Sequence, residues 1–202
     1  HQHLHFLGLI QQLYEHLQLM PSKQKPEPEH PWHEAMRNCQ LMDNFTPEKT
    51  EIALKSYYAL VSFIDELIGN ILNTLKSLEL EESTQIIYTS DHGDNIGERN
   101  LWGKSNFYEE SIGIPLIIAG PNVPIGKVCQ TPVSLVDIYP TILETAKLSV
   151  EPQKPGRSLS KIANEPDEND RMIFAEYHAM GSKCGGFMIR KGYWKYMHYV
   201  GM

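Results

Sequence analysis

Residues 88–111, YTSDHGDNIGERNLWGKSNFYEES, gather ionisable side chains and glycines densely within a 202-residue chain. Asp91 and His92 are adjacent, Asp94 and Glu98 follow, and Lys104 stands thirteen positions after Asp91, with Glu109 and Glu110 beyond it. A carboxylate oxygen beside an imidazole nitrogen suits a divalent cation. The oxygen favours a hard ion such as calcium, magnesium or manganese, and the imidazole also admits zinc. Gly93 lets the backbone turn tightly after the pair. Two ligands do not complete such a site, so further ones must come from elsewhere in the fold. Lys104 supplies a compact ammonium, a natural partner for a tetrahedral oxyanion held beside a metal. Taken singly, each residue has a plainer reading: Asp91 closes a turn, His92 is exposed, Lys104 is solvated. The combination at one place carries the functional reading.

That place is defined by the flanking elements. ESTQIIYTSD, before the pair, reads as a short buried strand rich in β-branched residues, and IPLIIAG, after the loop, as a second. Ligands gather at the carboxyl ends of strands in α/β sheets, and Asp91 and His92 fall at that end of the first. Upstream, Thr46 is an N-cap and Pro47 opens the first turn of a long helix. Its apolar positions Tyr57, Leu60, Val61, Ile64, Ile68, Ile71, Leu75 and Leu78 form one stripe of 3.6-residue period, with Asp65, Asn70, Asn73 and Lys76 off it. TPVSLVDIYPTILETAKL reads as a helix capped by Thr131 or Ser134. EPQKPGRSLSKIANEPDENDR is polar and proline-bearing and reads as a long connection. MIFAEYH, GFMIRKG and YWKYMHYV read as three antiparallel strands. At the amino end, residues 1–20 show helical spacing, and PSKQKPEPEHPWH, residues 21–33, reads as an extended surface loop. The order implies an α/β layer over residues 1–150, then a connection and the start of a small antiparallel unit over residues 151–202.

Composition narrows the classes. A formal net charge of −7 and no basic patch argue against a nucleic-acid partner. No apolar run approaches the roughly 20 residues of a membrane-spanning helix. Cys39, Cys129 and Cys184 are far apart, without a CxxC pair, and read as free thiols, which favours a reducing compartment. HQHLHFLGLIQQLYEHL lacks the basic and small-residue regions of a signal peptide, and the chain begins at His1 rather than a methionine, so the expectation is a piece of a longer protein.

SDHGDNIGERNLWGKSNFYEESIGIPLIIAGPNV resembles the sulfatase family of the alkaline phosphatase superfamily, nearest its choline-sulfatase and phosphonate-monoester-hydrolase-like branch. SYYALVSFIDELIGNILNTL resembles the helix before the metal strand in those enzymes, VSLVDIYPTILETA the helix after it, and FAEYHAMGSKCGGFMIRKGYWKYMHYVG the start of their C-terminal antiparallel subdomain. The resemblance implies an α/β, alkaline-phosphatase-like sandwich, of which this chain holds part of the central sheet with its flanking helices. It implies that Asp91 and His92 bind the divalent metal, with calcium the leading candidate and manganese, magnesium or zinc as alternatives. Many sulfatases have Asn in place of His92, which leaves the ion more open. It implies that Lys104 holds the oxygens of the substrate, a small-molecule or saccharide sulfate ester. His3, in HLHF, falls where relatives supply an active-site histidine, although the expected prolines are missing. His178 either faces the substrate or is a satisfied core histidine.

The family's nucleophile is a formylglycine made from the first residue of a Cys/Ser-x-Pro/Ala-x-Arg motif. CQLMD, CQTPV and CGGFM do not fit it, and the paired aspartates that complete the metal site are also absent. The expectation is therefore the C-terminal part of a sulfatase, inactive alone. Two alternatives stand beside it: a phosphonate or phosphodiester hydrolase of the same superfamily, and a non-catalytic module that has kept the fold.

Overall fold

In the computed structural model, residues 30–39, 46–179, 182 and 184–201 are described. Two compact units emerge. Of the described residues, the first comprises those up to 82 with 92–104 and 108–113, and the second 83–91, 105–107 and those from 114 on.

The first unit is helical. Helix α1, Pro31–Cys39, begins inside the loop that the sequence predicts over residues 21–33. The physical reason is positional. A proline at the first position of a helix loses no hydrogen bond and brings a helical φ, so Pro31 opens a helix rather than preventing one. Trp32 and His33 are buried behind it, at 2% and 7% exposure. Helix α2, Pro47–Ser77, starts where the sequence places it: the Thr46 side chain accepts a hydrogen bond from the Lys49 amide at 3.3 Å. Its packing differs from the expected stripe. Leu54 is buried and Tyr57, Tyr58, Val61, Ile68 and Leu75 are half-buried, but Leu60, Ile64, Ile71 and Leu78 are exposed. Asp65, expected off the stripe, lies on the half-buried side, while Asn70, Asn73 and Lys76 are exposed as predicted. Helical periodicity fixes that the residues share a side; it does not say which part of a broad apolar surface is covered. A single turn, α3 (Glu109–Ile112), completes the unit.

The second unit holds two sheets. Strands β1 (Ile86–Thr89) and β2 (Leu116–Ala119) are the two predicted from the β-branched runs, and they pair antiparallel, with Ile86 opposite Ala119 and Thr89 opposite Leu116. All eight residues are half-buried rather than fully buried. Helix α4, Ile138–Thr145, is preceded by a 3₁₀ turn at Leu135–Asp137. Ser134, one of the two predicted caps, forms a reciprocal capping box with Asp137. Thr131, the other, is buried and accepts the Glu168 amide at 2.9 Å. The predicted connection contains a short helix, α5 (Leu159–Asn164), whose start is capped by Ser158. Strands β3 (Met172–Tyr177), β4 (Gly185–Lys191) and β5 (Trp194–Val200) form the expected antiparallel meander.

Asp137 ties this unit together. Its carboxylate is fully buried and accepts from the Ser134 amide (2.9 Å), the Arg157 amide (2.8 Å) and, in a fork, from both terminal nitrogens of Arg171 (2.7 and 2.8 Å). Burial by itself would raise the carboxyl's pKa; the bonds from Arg171, Ser134 and Arg157 and the Arg171 charge more than offset it and hold it below the usual range. Thr141, one helical turn on, donates to the Asp137 carbonyl and accepts the Leu159 amide at 2.8 Å. The start of α4, the start of α5 and the residue before β3 thus converge on one buried group.

Candidate active site

The loop between β1 and β2 is closed at its neck by side chains from one end reaching the other. Asp94 Oδ1 accepts from the Ile96 amide at 2.8 Å and from the Gly103 amide at 3.1 Å. Asn95, fully buried, donates from its backbone amide (2.8 Å) and its side-chain nitrogen (2.6 Å) to the Gly103 carbonyl. Residues nine positions apart are thereby locked together, and His92 and Lys104 stand within two residues of that closure on either strand of the neck. Both are among the groups singled out from their types alone. Asp94 itself is committed to bracing the loop.

The backbone around the closure is tightly constrained. Ile96, Arg99, Asn100 and Ser105 have positive φ (40°, 53°, 56° and 88°), a conformation unfavourable to any residue with a Cβ and most so to a β-branched one. Conformations of this kind cluster where a binding or reacting geometry must be held. Arg99 is fixed on both sides: it donates to Glu110 Oε1 at 2.8 Å and lies 4.2 Å above the Tyr108 ring. The Tyr108 hydroxyl lies 3.2 Å from Nδ1 of buried His33. Gly93 accepts no substitute: its amide donates to the Ser111 carbonyl at 2.7 Å, and a Cβ there would overlap the Glu110 carbonyl oxygen.

Asp91 is exposed just beyond the carboxyl end of β1. His92, half-buried, has Nδ1 2.8 Å from the Gly93 carbonyl oxygen. A carbonyl can only accept, so Nδ1 donates this bond. Metal-ligating imidazoles commonly donate their other ring N–H to a backbone carbonyl in this way. By donor type alone, one carboxylate oxygen and one imidazole nitrogen suit a divalent cation. Among the described residues no group of three or more His, Cys, Asp or Glu side chains could hold a metal ion. Lys104 is exposed. His3 lies outside the described residues. His178 is not a core histidine: its side chain is half exposed, with Nε2 3.3 Å from Glu176 Oε2 and its ring against Phe187.

Several supporting residues are invisible to motif reading. Asp94 and Asn95 look like two more polar loop residues; only their spacing to Gly103, a residue that leaves its amide and carbonyl accessible, hints at the brace. The Tyr177 hydroxyl donates to Ser105 Oγ at 2.8 Å across 72 positions of sequence, which no local pattern signals.

The chain matches the family model described as Sulfatase over residues 24–148, and the model described as N-sulphoglucosamine sulphohydrolase, C-terminal, over residues 97–202. It is 36% identical over 167 residues to the choline-sulfatase of Rhizobium meliloti, covering 81% of this chain and 32% of the relative, so it spans about a third of that protein's length. Among solved structures it superposes on a phosphonate monoester hydrolase from Silicibacter pomeroyi with a TM-score of 0.74 at 24% identity, over 89% of this chain and 41% of that one. It also superposes, with a TM-score of 0.66 at 27% identity, on a protein solved in complex with its substrate D-glucosamine-2-N,6-O-disulfate, over 94% of this chain and 41% of that one. The architecture is therefore α/β of the alkaline-phosphatase-like kind. Family models that together run from residue 24 to residue 202, through the braced loop and the three-stranded sheet, establish that this chain belongs to the sulfatase family.

Proposed function

We propose that the chain is the C-terminal part of a sulfatase that hydrolyses sulfate esters, with a divalent metal and a formylglycine nucleophile that lies outside these residues. The observation that carries this reading is the closed loop: one hydrogen-bonded neck holds His92 and Lys104 at its two ends, inside a chain that belongs to the sulfatase family. In this reading residues 1–150 belong to the catalytic α/β domain and residues 151–202 connect to and begin the C-terminal subdomain.

Asp91 and His92 would hold the cation, Asp91 through a carboxylate oxygen and His92 through Nε2, the ring nitrogen other than the one on the Gly93 carbonyl. When bound, the metal supplies Lewis-acid polarisation of the sulfate and lowers the pKa of an attacking hydroxyl. Calcium is the leading candidate on the family resemblance; the carboxylate also suits magnesium or manganese, and the imidazole admits zinc. Lys104 neutralises charge on a non-bridging or leaving oxygen as it develops, a role that needs its ammonium at a fixed place. His3 is proposed as a further active-site histidine on the resemblance of its segment alone. The substrate is proposed to be a small-molecule or saccharide sulfate ester. The choline-sulfatase relative favours the former, and the neighbour solved with a glucosamine disulfate favours the latter. A phosphonate monoester hydrolase is the second reading, favoured by the superposition on an enzyme of that name.

Metal content tests the assignment. The full-length protein, dialysed and analysed by plasma mass spectrometry, is expected to retain a stoichiometric divalent ion and its His92→Ala variant to lose it. Equal metal in the two proteins, both folded, would remove Asp91–His92 from the site.

A further inference from the structure

Ser105, Asn106 and Phe107 belong to the second unit although the residues on both sides of them, Lys104 and Tyr108, belong to the first. The sheet holds this three-residue insertion by three contacts. The Tyr177 hydroxyl donates to Ser105 Oγ at 2.8 Å. Lys195 Nζ donates to the Phe107 carbonyl at 3.0 Å. The Phe107 ring, 3% exposed, lies against Gly186, where a Cβ would sit 3.0 Å from the ring, and its centroid is 6.1 Å from that of Tyr199.

These contacts share a register. Tyr177 on β3 is opposite Gly186 on β4, which is opposite Tyr199 on β5. The row reads large, absent, large: two tyrosines flank a notch made by the missing side chain, and Phe107 fills it. A glycine inside a strand weakens the strand unless something must approach closely, and here something does. Ser105, the residue bonded to Tyr177, holds φ at 88°, which a serine keeps only when its surroundings impose it. It is also the residue joined directly to Lys104.

We infer that the Tyr177–Gly186–Tyr199 row is a socket that sets the position of Lys104, with Tyr177 a positioning residue acting through Ser105. The inference rests on the reading of Lys104 proposed above. The sheet of β3, β4 and β5 then acts on the reaction through Ser105. It fixes the main chain at the residue next to Lys104, and misplacing a catalytic group by one ångström costs about a hundredfold in rate.

The test uses the full-length protein with 4-nitrophenyl sulfate. Tyr177→Phe removes one oxygen and leaves the ring. It is expected to lower kcat on the order of tenfold, with KM and the melting temperature little changed. Ser105→Ala is expected to give the same loss, and the two together no more than either. In a Lys104→Ala background, Tyr177→Phe is expected to cost nothing further. Gly186→Ala, which must displace Phe107, is expected to lower kcat at least as far. A Tyr177→Phe protein with undiminished kcat, or one whose loss is just as large without Lys104, overturns the inference while leaving the role of Lys104 intact. Full activity in Lys104→Ala alone overturns the reading of the lysine and the socket with it.

Discussion

Asp137→Ala is the perturbation whose consequence can be worked most fully. The carboxylate is fully buried and accepts four hydrogen bonds, two of them the forked pair from Arg171, whose own side chain is only 16% exposed. Truncation leaves a mostly buried guanidinium without its counter-ion and two backbone amides, of Ser134 and Arg157, without their acceptor. Breaking a buried pair by removing one partner costs roughly 3–5 kcal/mol. At about 2–4 °C per kcal/mol for a chain of this size, the melting temperature should fall by roughly 6–20 °C. The pH dependence carries a sign. The carboxyl is held below its ordinary value in the folded protein. Its contribution is therefore complete above the unfolded carboxylate pKa of about 3.9, and is lost as pH drops through the folded value. Thermal melts followed by circular dichroism should show the wild type losing stability below about pH 4, with Asp137→Asn lower at neutral pH and flatter in that acid range. A shift under about 2 °C for Asp137→Ala would refute the idea that this group pins α4, α5 and β3, since so small a change corresponds to about 1 kcal/mol or less.

Gly93→Ala must push the Glu110 carbonyl away and break the Gly93–Ser111 bond beside His92, so it should lower both soluble yield and metal retention, read by melting temperature and metal analysis. The exposed Leu60, Ile64 and Ile71 on α2 make a continuous apolar surface of the kind that drives association. This chain expressed alone should bind a hydrophobic dye and self-associate in sedimentation, and Leu60→Gln with Ile71→Gln should reduce both.

How much of this was legible in the sequence depended on the range of the interaction. The cap of α2 is local, three residues from acceptor to donor, and Thr46-Pro47 announces it. The strands β1 to β5 are announced by their β-branched and aromatic runs. Helix α1 was hidden because Pro26, Pro28 and Pro31 together look like a loop, whereas the last of them is the start of a helix. Helix α5 is too short for a periodic signal and sits in a polar stretch. The unequal exposure of the α2 stripe depends on what covers it, which periodicity does not encode. In the site, residue types alone singled out Asp91, His92 and Lys104. The long-range devices were not legible: Asp94 and Asn95 on Gly103 need the loop closed, Tyr177 on Ser105 spans 72 positions, and in the second unit Arg171 on Asp137 spans 34. Gly186 reads as a weak point in a strand until Phe107 is seen in its notch.

The claim that the residues flanking the closed loop form a hydrolytic site is reached most directly by the steady-state turnover of an aryl sulfate by the full-length protein and its Lys104→Ala variant. The account predicts hydrolysis by the first and a fall of about 10²–10³ in kcat in the second, the usual loss when one oxyanion-stabilising group is removed, with the melting temperature unchanged. Equal turnover by the two proteins would contradict it.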